Sequence, residues 1–320
     1  MSRIFVFPGQ GSQFIGMGRE LADAFPTARH LFQEIDDALN QKLFALMTGG
    51  AERDLNLTEN TQPALMAVSV AVARILFEQS AKTLSDLASY VAGHSLGEYS
   101  ALTVAGTFTV ADCARLLKTR GRAMQAAVPV GVGAMAAILG LDFGDVQKIA
   151  ADATGESKNG EMVEAANDNS SGQVVVSGHV GAVNVAMKLA TERGAKRALL
   201  LPVSAPFHST LMQPAADAMR AALATVDMKR PLVPVIANVT AEGVTDPEMI
   251  RRLLVDQVTG TVRWRESVNT MRALGVDGAV ELGAGKVLSG LIKRIEPDIM
   301  TMNACTPAEI DVVLKMISIG

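Results

Sequence analysis

The chain of 320 residues is long enough for one large α/β domain, or for one domain that carries an inserted second lobe. Its net charge of -4 and the lack of a basic patch interleaved with aromatic residues argue against nucleic-acid binding. The two cysteines, Cys113 and Cys305, lie far apart and have no metal-ligand spacing, so they predict reduced thiols.

The same composition bears on location. We find no apolar run of the ~18 residues that a membrane span needs. Met1 leads directly into a predicted strand that is too short for the apolar region of a signal peptide. We therefore expect a soluble, cytoplasmic protein that contacts no membrane.

Predicted strands and helices alternate along the first part of the chain, which is typical of an α/β fold. A glycine-rich turn separates the first strand from the first helix, and Pro63 is expected near the first turn of a long apolar helix, where its missing N–H costs nothing. The predicted strands are 4–7 and 88–92, and the predicted helices are 14–24, 61–78, 98–105 and 111–127.

After a glycine-rich hinge at 128–133, the pattern changes to that of a split βαβ, ferredoxin-like module. Its predicted strands are 135–139, 162–166, 173–177 and 198–203, its helices are 143–152 and 180–193, and 167–172 is a turn. The body then adds strands at 233–238 and 279–282. The sequence thus predicts an α/β, hydrolase-like body with a parallel sheet (1–127 and 202–320) and an inserted ferredoxin-like subdomain (128–201).

One pentapeptide, Gly93-His94-Ser95-Leu96-Gly97, lies between a predicted strand and a predicted helix. Such a sharp strand-to-helix turn exposes the central hydroxyl beside the N–H groups that begin the helix, and the flanking glycines remove side chains that would clash. The setting favours Ser95 as a nucleophile over a structural serine.

A serine nucleophile needs a base, and the sequence has four histidines. His30 is expected to be solvated and His179 to serve in a turn. His94 should point away from the serine, and it is expected at most to line the pocket. His208 follows a predicted strand of the body, where a catalytic partner belongs. The alternative for His208 is a helix cap.

No carboxylate between Ser95 and His208 falls in a strand-end loop of the body, so a third catalytic acid is not evident. A dyad in which a backbone carbonyl or an amide orients the imidazole is the simpler prediction.

Two glycine-rich loops, 8–13 and 283–286, superficially suggest phosphate binding. The first lacks the lysine and hydroxyl residue of a P-loop, and the second lacks the upstream glycine and the hydroxyl. The loop at 8–13 can instead present backbone N–H groups to an oxyanion; an ordinary tight turn is the alternative.

Four motifs of this sequence resemble those of the malonyl-CoA:acyl carrier protein transacylases in order and approximate spacing, and the match runs nearly end to end. They are Pro8-Gly9-Gln10-Gly11-Ser12-Gln13, Gly93-His94-Ser95-Leu96-Gly97-Glu98-Tyr99, Arg120-Gly121 and Pro206-Phe207-His208-Ser209. The resemblance implies ping-pong transfer of malonyl from malonyl-CoA, through an ester on the serine, to the phosphopantetheine thiol of an acidic acyl carrier protein, supplying fatty acid elongation. It further implies a monomer with no permanently bound cofactor or metal.

The resemblance also implies roles for individual residues. Ser95 would be the nucleophile and His208 the base, while Gln257 would orient His208 through its main chain or amide. The remaining implied residues are the oxyanion donors Gln10 and Leu96 (through their N–H groups) and the substrate-binding residues Arg120, His94, Phe207 and Asn167.

Arg120 also has a physical argument of its own. It lies on a largely apolar predicted helix that should back onto the serine turn, and a guanidinium matches a carboxylate with two parallel hydrogen bonds. A solvent-facing arginine among neighbouring basic residues is the alternative. Leu96 and Phe207 resemble the version of the family that selects malonyl over branched malonyl groups.

Two other functions compete with the acyltransferase. A serine hydrolase would share the nucleophile and the base but would pass the acyl group to water. A non-catalytic scaffold that binds an acyl carrier protein is disfavoured because both dyad residues are present. Among transferases, polyketide synthesis and malonate decarboxylation are alternatives to fatty acid synthesis.

Overall fold

Two separate sheets contain the ten strands of the described part of the chain. The computed structural model describes residues 2–203 and 205–319, with side chains to 317. The strands are β1 (Arg3–Phe7), β2 (Tyr90–Gly93), β3 (Gly133–Leu139), β4 (Val163–Ser170), β5 (Gln173–His179), β6 (Arg197–Leu200), β7 (Val235–Ile236), β8 (Gly243–Val244), β9 (Gly278–Leu282) and β10 (Met300–Ala304).

The helices cover both faces of the larger sheet and one face of the smaller one. In chain order they are α1 (Arg19–Ala24), α2 (Pro26–Leu39), α3 (Leu43–Gly49), α4 (Glu52–Leu55), α5 (Thr58–Ser80), α6 (Leu84–Leu87), α7 (Leu96–Val104), α8 (Val110–Ala126), α9 (Phe143–Glu156), α10 (Val180–Glu192), α11 (Gln213–Ala224), α12 (Pro247–Thr259), α13 (Trp264–Ala273), α14 (Val287–Ile295) and α15 (Pro307–Ile319).

The body sheet has the strand order β10-β9-β1-β2-β7-β8. Its first five strands are parallel, and β8 returns antiparallel to β7 at the edge. Because β1 and β2 are buried on both faces, their residues 4–7 and 91–93 are continuously apolar rather than alternating. The turn that follows β2 lies at the carboxyl edge of the sheet, next to a strand near the middle of the sheet. Open α/β sheets bind ligands at such places.

The smaller sheet is antiparallel, in the order β4-β5-β3-β6, and carries α9 and α10. Its element order and strand order are those of a ferredoxin-like module, so this part of the predicted fold class is confirmed. Apolar residues between this sheet and its two helices form a core of their own, apart from the cores of the body. The predicted boundaries of the lobe, 128 and 201, stay a prediction.

Helix α5 corrects two expectations. It begins at Thr58, so Pro63 lies inside the helix and not in its first turn. Among the described helices, α5 is the one long and apolar enough to span a membrane, so the expectation that no stretch reaches this length is wrong by that measure. Since 89% of its most apolar window is buried in the protein, α5 is the core helix of the body.

Two further sequence predictions are wrong because the surroundings outweigh local preference. The segment 167–172 is not a turn throughout: β4 continues to Ser170, since it pairs with β5 as far as Gln173, and the N–H of Asp168 also donates to the carbonyl of Val262 in the body. The helix predicted for 14–24 begins only at Arg19, because Gly16 and Gly18 have positive φ angles of 101° and 82°.

The packing of α7 against β1 and β2 requires glycine at two positions. A Cβ atom on Gly97 would overlap the carbonyl oxygen of Phe7, and one on Gly93 would overlap the backbone of Gly97. These contacts involve main chain that cannot rotate away, so the strand and the helix approach this closely only with glycine.

We predict that Gly97→Ala lowers the free energy of unfolding by at least about 3 kcal/mol, since the backbone must move to relieve the overlap. The matched control is Gly290→Ala in α14, where a Cβ meets no atom within 4 Å and the φ angle is ordinary. It should raise stability by about 0.5–1 kcal/mol. Urea unfolding measures both, and equal small effects would contradict the packing argument.

Candidate active site

Ser95 lies between β2 and α7 in a strained backbone conformation. Its φ and ψ angles are 53° and -111°, which a residue with a side chain rarely adopts. Ser95 caps α7, and within the described residues the main-chain N–H of Leu96, directly after it, has no partner, whereas those of Gly97 and Glu98 donate to main-chain carbonyls. The turn thus holds the hydroxyl at the carboxyl edge of the sheet, beside a hydrogen-bond donor.

His208 contacts the serine hydroxyl directly. Its Nε2 lies 2.8 Å from Ser95 Oγ, and its Nδ1 lies 2.8 Å from the main-chain oxygen of Gln257. Because a carbonyl oxygen only accepts hydrogen bonds, Nδ1 carries the proton and Nε2 is left to accept one. The main-chain carbonyl occupies the place that a carboxylate has in a serine triad.

The environment of His208 keeps its imidazole neutral. Burial and, to a smaller extent, the positive charge of Arg120 lower the pKa of His208 to about 3. A neutral imidazole is the form that can take the proton of the serine hydroxyl.

Arg120 is buried beside the dyad, with 1% of its surface exposed. Its Nη1 donates to Gln62 Oε1 (2.8 Å), and its Nη2 donates to Gln257 Oε1 (2.9 Å) and to Ser95 Oγ (3.1 Å). Burial lowers the pKa of Arg120 from its ordinary value. None of the described carboxylates forms an ion pair with it. The guanidinium therefore presents a positive charge without a direct ion pair within reach of the serine, and the buried carboxyl of Glu98 interacts with it electrostatically.

Helix α8 can bring Arg120 to this place because Gly121 allows close helix packing. A Cβ on Gly121 would lie 2.5 Å from Glu59 Cα and 2.6 Å from the carbonyl oxygen of Thr58, both in α5. This close approach places Arg120 next to Gln62, which α5 carries. The alternative of a solvent-facing arginine is wrong.

A second polar layer supports the dyad from behind. Glu98 Oε2 accepts hydrogen bonds from Gln257 Nε2 (2.8 Å) and from the main-chain N–H of Asn238 (3.0 Å). Asn238 Oδ1 in turn accepts from the main-chain N–H of Ser95 (2.7 Å). Burial raises the pKa of Glu98 to about 7. These contacts tie the backbone of the serine turn to the residue that orients His208.

A cavity of about 360 Å³ opens over Ser95 between the body and the smaller lobe. The predicted residues that line it are Gln10, His94, Ser95, Leu96, Arg120, Asn167, Phe207 and His208, whereas Gln257 lies behind them and is fully buried. The smaller lobe contributes Asn167 and also Asn169, whose Oδ1 lies 2.8 Å from His94 Nε2. Burial lowers the pKa of His94.

The two residues predicted to donate to an oxyanion both line this cavity. Within the described residues, the main-chain N–H groups of Gln10 and Leu96 have no hydrogen-bond partner. Gly9 allows the first loop to approach, since a Cβ there would lie 2.7 Å from the carbonyl oxygen of His94. The geometry thus leaves two free donors beside the nucleophile.

The sequence prediction assigned no role to Gln62, Glu98, Asn169 or Asn238. Glu98 had a usable signal, since an acid three residues after the serine lies in the first turn of the helix that the serine begins. Gln62 and Asn238 had none, because the contacts that matter join distant parts of the chain.

Known proteins resemble this chain over nearly all of its length. The family model described as the acyl transferase domain matches residues 4–299. A malonyl CoA-acyl carrier protein transacylase of Bacillus subtilis is 45% identical over 98% of this chain and 97% of the relative. One from Escherichia coli K12 is 47% identical over 94% of each chain.

Solved structures agree. An acyl-carrier-protein-S-malonyltransferase from Bartonella henselae superposes with a TM-score of 0.96 at 52% identity, covering 99% of this chain and 100% of the other. A malonyl-transacylase in complex with its type II PKS acyl-carrier protein superposes with a TM-score of 0.94 at 41% identity, covering 99% and 100%. At these sequence identities, this chain resembles the two solved structures in sequence as well as in fold.

The buried carboxyl of Glu98 predicts a pH-dependent stability. With its pKa raised from 4.5 to about 7, the folded protein binds more protons than the unfolded chain between these values, so stability falls as the pH rises through this window. Glu98→Gln, which stays neutral, should match the wild type below pH 4.5. Above pH 7 it should be more stable by an amount on the order of 3 kcal/mol, at about 1.4 kcal/mol per pKa unit.

Urea unfolding at a series of pH values measures this difference. Using the difference between variant and wild type cancels the titration of His208, whose lowered pKa acts in the opposite direction. The control is the exposed Glu248→Gln, which also removes one carboxylate. A difference for Glu98→Gln that does not change with pH would contradict the assignment.

Proposed function

The chain belongs to the acyl transferase family, and we propose that it works as a malonyl-CoA:acyl carrier protein transacylase that holds the malonyl group on Ser95. The transfer of malonyl from malonyl-CoA to an acyl carrier protein is the activity for which the relatives are named. The observation that carries the assignment of residues is the convergence of His208 and Arg120 on one atom, Ser95 Oγ, at 2.8 and 3.1 Å.

The first half-reaction loads the serine. Ser95 Oγ forms a bond to the thioester carbon while His208 Nε2 accepts the hydroxyl proton. The carbon–sulfur bond then breaks, and the imidazolium returns the proton to the departing sulfur of coenzyme A. The carbonyl of Gln257 holds the imidazole in the required tautomer throughout, and it stabilises the imidazolium while that carries the extra proton.

The second half-reaction runs the same steps toward a new thiol. The phosphopantetheine thiol of the carrier protein gives its proton to His208 and attacks the malonyl ester. The ester carbon–oxygen bond then breaks, and the imidazolium returns the proton to Ser95 Oγ. Because one site serves both thiols in turn, coenzyme A leaves before the carrier protein enters, which is a ping-pong order. The acyl group travels on the serine, so the reaction needs no resident cofactor or metal.

Both half-reactions pass through a tetrahedral intermediate with a negatively charged oxygen. The unpartnered N–H groups of Gln10 and Leu96 are the donors for it, and each is worth about 3 kcal/mol of transition-state stabilisation in acyl transfer. They are main-chain groups on a strand-end loop and a helix start, so their positions do not depend on side-chain rotamers.

Arg120 binds the free carboxylate of the malonyl group. In the unliganded site its hydrogen bonds go to neutral acceptors, the side-chain oxygens of Gln62 and Gln257 and the serine hydroxyl. A carboxylate forms stronger, charge-assisted hydrogen bonds with a guanidinium than a neutral amide does, and it compensates the buried charge. An uncharged acyl group forms no charge-assisted hydrogen bond with the guanidinium and does not compensate its buried charge.

The remaining lining residues restrict what fits. Leu96 and Phe207 narrow the cavity next to the serine against an α-methyl group, which such a pocket discriminates by only about 10–200-fold. His94 and Asn167 border the substrate from the body and from the smaller lobe.

The buried free thiol of Cys113 and the half-buried one of Cys305 suit the cytoplasm. A single chain supplies every group named above, so a monomer suffices for the reaction.

Loss of Arg120 should separate malonyl from acetyl. We expect Arg120→Ala to reduce the rate constant of malonyl loading at least about 100-fold, because two hydrogen bonds to a charged group are lost. Loading from acetyl-CoA should fall far less, so structural damage, which would affect both donors, is controlled internally. Arg122→Ala, an exposed position on the same helix, is the matched control and should leave both rates unchanged. Equal losses on both donors would refute the role of Arg120.

Intact-mass measurement tests the ester directly. Incubation with malonyl-CoA should add one malonyl group to the wild type and none to Ser95→Ala. A phosphopantetheinylated carrier protein should discharge the adduct quickly, and water only slowly. Prompt release of free malonate would identify a hydrolase, and an adduct that persists in Ser95→Ala would overturn the nucleophile.

A further inference from the structure

A second cavity, of about 380 Å³, lies at the opposite edge of the body sheet. Its lining includes the first residues of three strands, Arg3 of β1, Gly278 of β9 and Met300 of β10. Ser95 follows the carboxyl end of β2, which is parallel to β1, so the two cavities lie at opposite ends of the strands. They share no lining residue.

Arg3 is the unusual group in this cavity. Only 8% of its surface is exposed, and its Nε atom is fully buried without a hydrogen-bond partner. Within residues 2–203 and 205–319, no side chain or carbonyl oxygen accepts a hydrogen bond from its guanidinium, and no carboxylate pairs with it. A guanidinium does not give up its proton in proteins, so the charge stays.

Nearby acids form no ion pair with Arg3 within the described residues. Asp277, directly before the lining residue Gly278, has a buried Oδ1 without a hydrogen-bond partner, and Asp298 pairs with Arg272 at 3.5 Å. Among the described residues no aspartate or glutamate lines the cavity, whereas Lys293 adds a second, exposed cation. Buried charges in proteins are ordinarily paired, so the cavity is electrostatically complementary to an anion.

Apart from Thr301, the rest of the lining is apolar. Strand alternation places Arg3 on the same sheet face as Phe5, toward α5 and α15. The side chains that complete the wall on and around this face are Pro297, Ile299, Met300, Met302 and Met316. Methionine side chains adapt to ligands of varied shape. One buried cation against apolar walls suits a singly charged head on an apolar chain better than a small, strongly hydrated anion such as phosphate.

We propose that this cavity binds an amphipathic carboxylate, with its head on the Arg3 guanidinium and its chain against the methionine side chains. The volume lies in the range of ~300–1,000 Å³ that is usual for small-molecule sites. At roughly 30 Å³ per water-sized group, it accommodates about a dozen non-hydrogen atoms, the size of a ten-carbon acid.

Calorimetric titration with decanoate below its micelle concentration tests the site, and it requires no turnover, so the outcome does not depend on the proposed function. We expect decanoate to bind the wild type. Decylamine has the same chain and the opposite charge, and it should bind at least about tenfold more weakly. Inorganic phosphate, the small hydrated anion, should not compete. Equal binding of decanoate and decylamine, displacement by phosphate, or no heat with decanoate would overturn the proposal.

Two variants locate the binding. Arg3→Met removes the charge but keeps the length and should weaken decanoate binding at least about tenfold. The control Arg53→Met, whose side chain is 88% exposed in the wild type, should bind like the wild type. If Arg3→Met does not fold, Met316→Trp fills the cavity with Arg3 still present and should reduce the affinity by a similar factor. Unchanged affinity of decanoate for Arg3→Met or for Met316→Trp would contradict the site.

Discussion

The charge of Arg120, buried among neutral groups, organises the active site of this protein. Its hydrogen bonds reach the amides of Gln62 and Gln257 and the hydroxyl of Ser95, and no described carboxylate forms an ion pair with it. Burial lowers the pKa of His208 and the charge of Arg120 adds to this effect, so the base stays neutral. A malonyl carboxylate supplies a negative charge one contact away from the nucleophile. The charge of Arg120 thus serves both the recognition of the acyl group and the readiness of the dyad.

Holding such a charge next to a strained serine requires rigid surroundings. The positive φ of Ser95 is enforced by the close packing at Gly93 and Gly97, and the hydrogen bond from its main-chain N–H to Asn238 fixes the turn from behind. Glu98 connects Asn238 to Gln257, whose carbonyl orients the base. Each catalytic group is therefore positioned by main chain or by buried amides, and none depends on a mobile surface side chain.

Local patterns predicted the parts of the fold and site that local physics decides. The alternation of strands and helices gave the α/β body and the ferredoxin-like lobe, and the glycines around Ser95 marked the turn that exposes it. The segment 167–172 was predicted wrongly because its asparagines favour turns locally, while pairing with β5 extends the strand to Ser170. A dyad oriented by a backbone carbonyl was open from the sequence. The resemblance named Gln257 for this role through its main chain or its amide, and it did not decide between the two, because a residue's identity does not encode where its carbonyl points.

The central claim is that His208 is a neutral base with its proton on Nδ1, held there by the Gln257 carbonyl and kept neutral by burial and by Arg120. A nitrogen-15 NMR titration of histidine-labelled protein measures tautomer and charge together, and His208→Gln assigns the signal. The account predicts a neutral, Nδ1-protonated ring from pH 8 down to at least pH 5, with a pKa far below the ordinary 6.5. A ring that titrates near pH 6.5, or that carries its proton on Nε2, would contradict it.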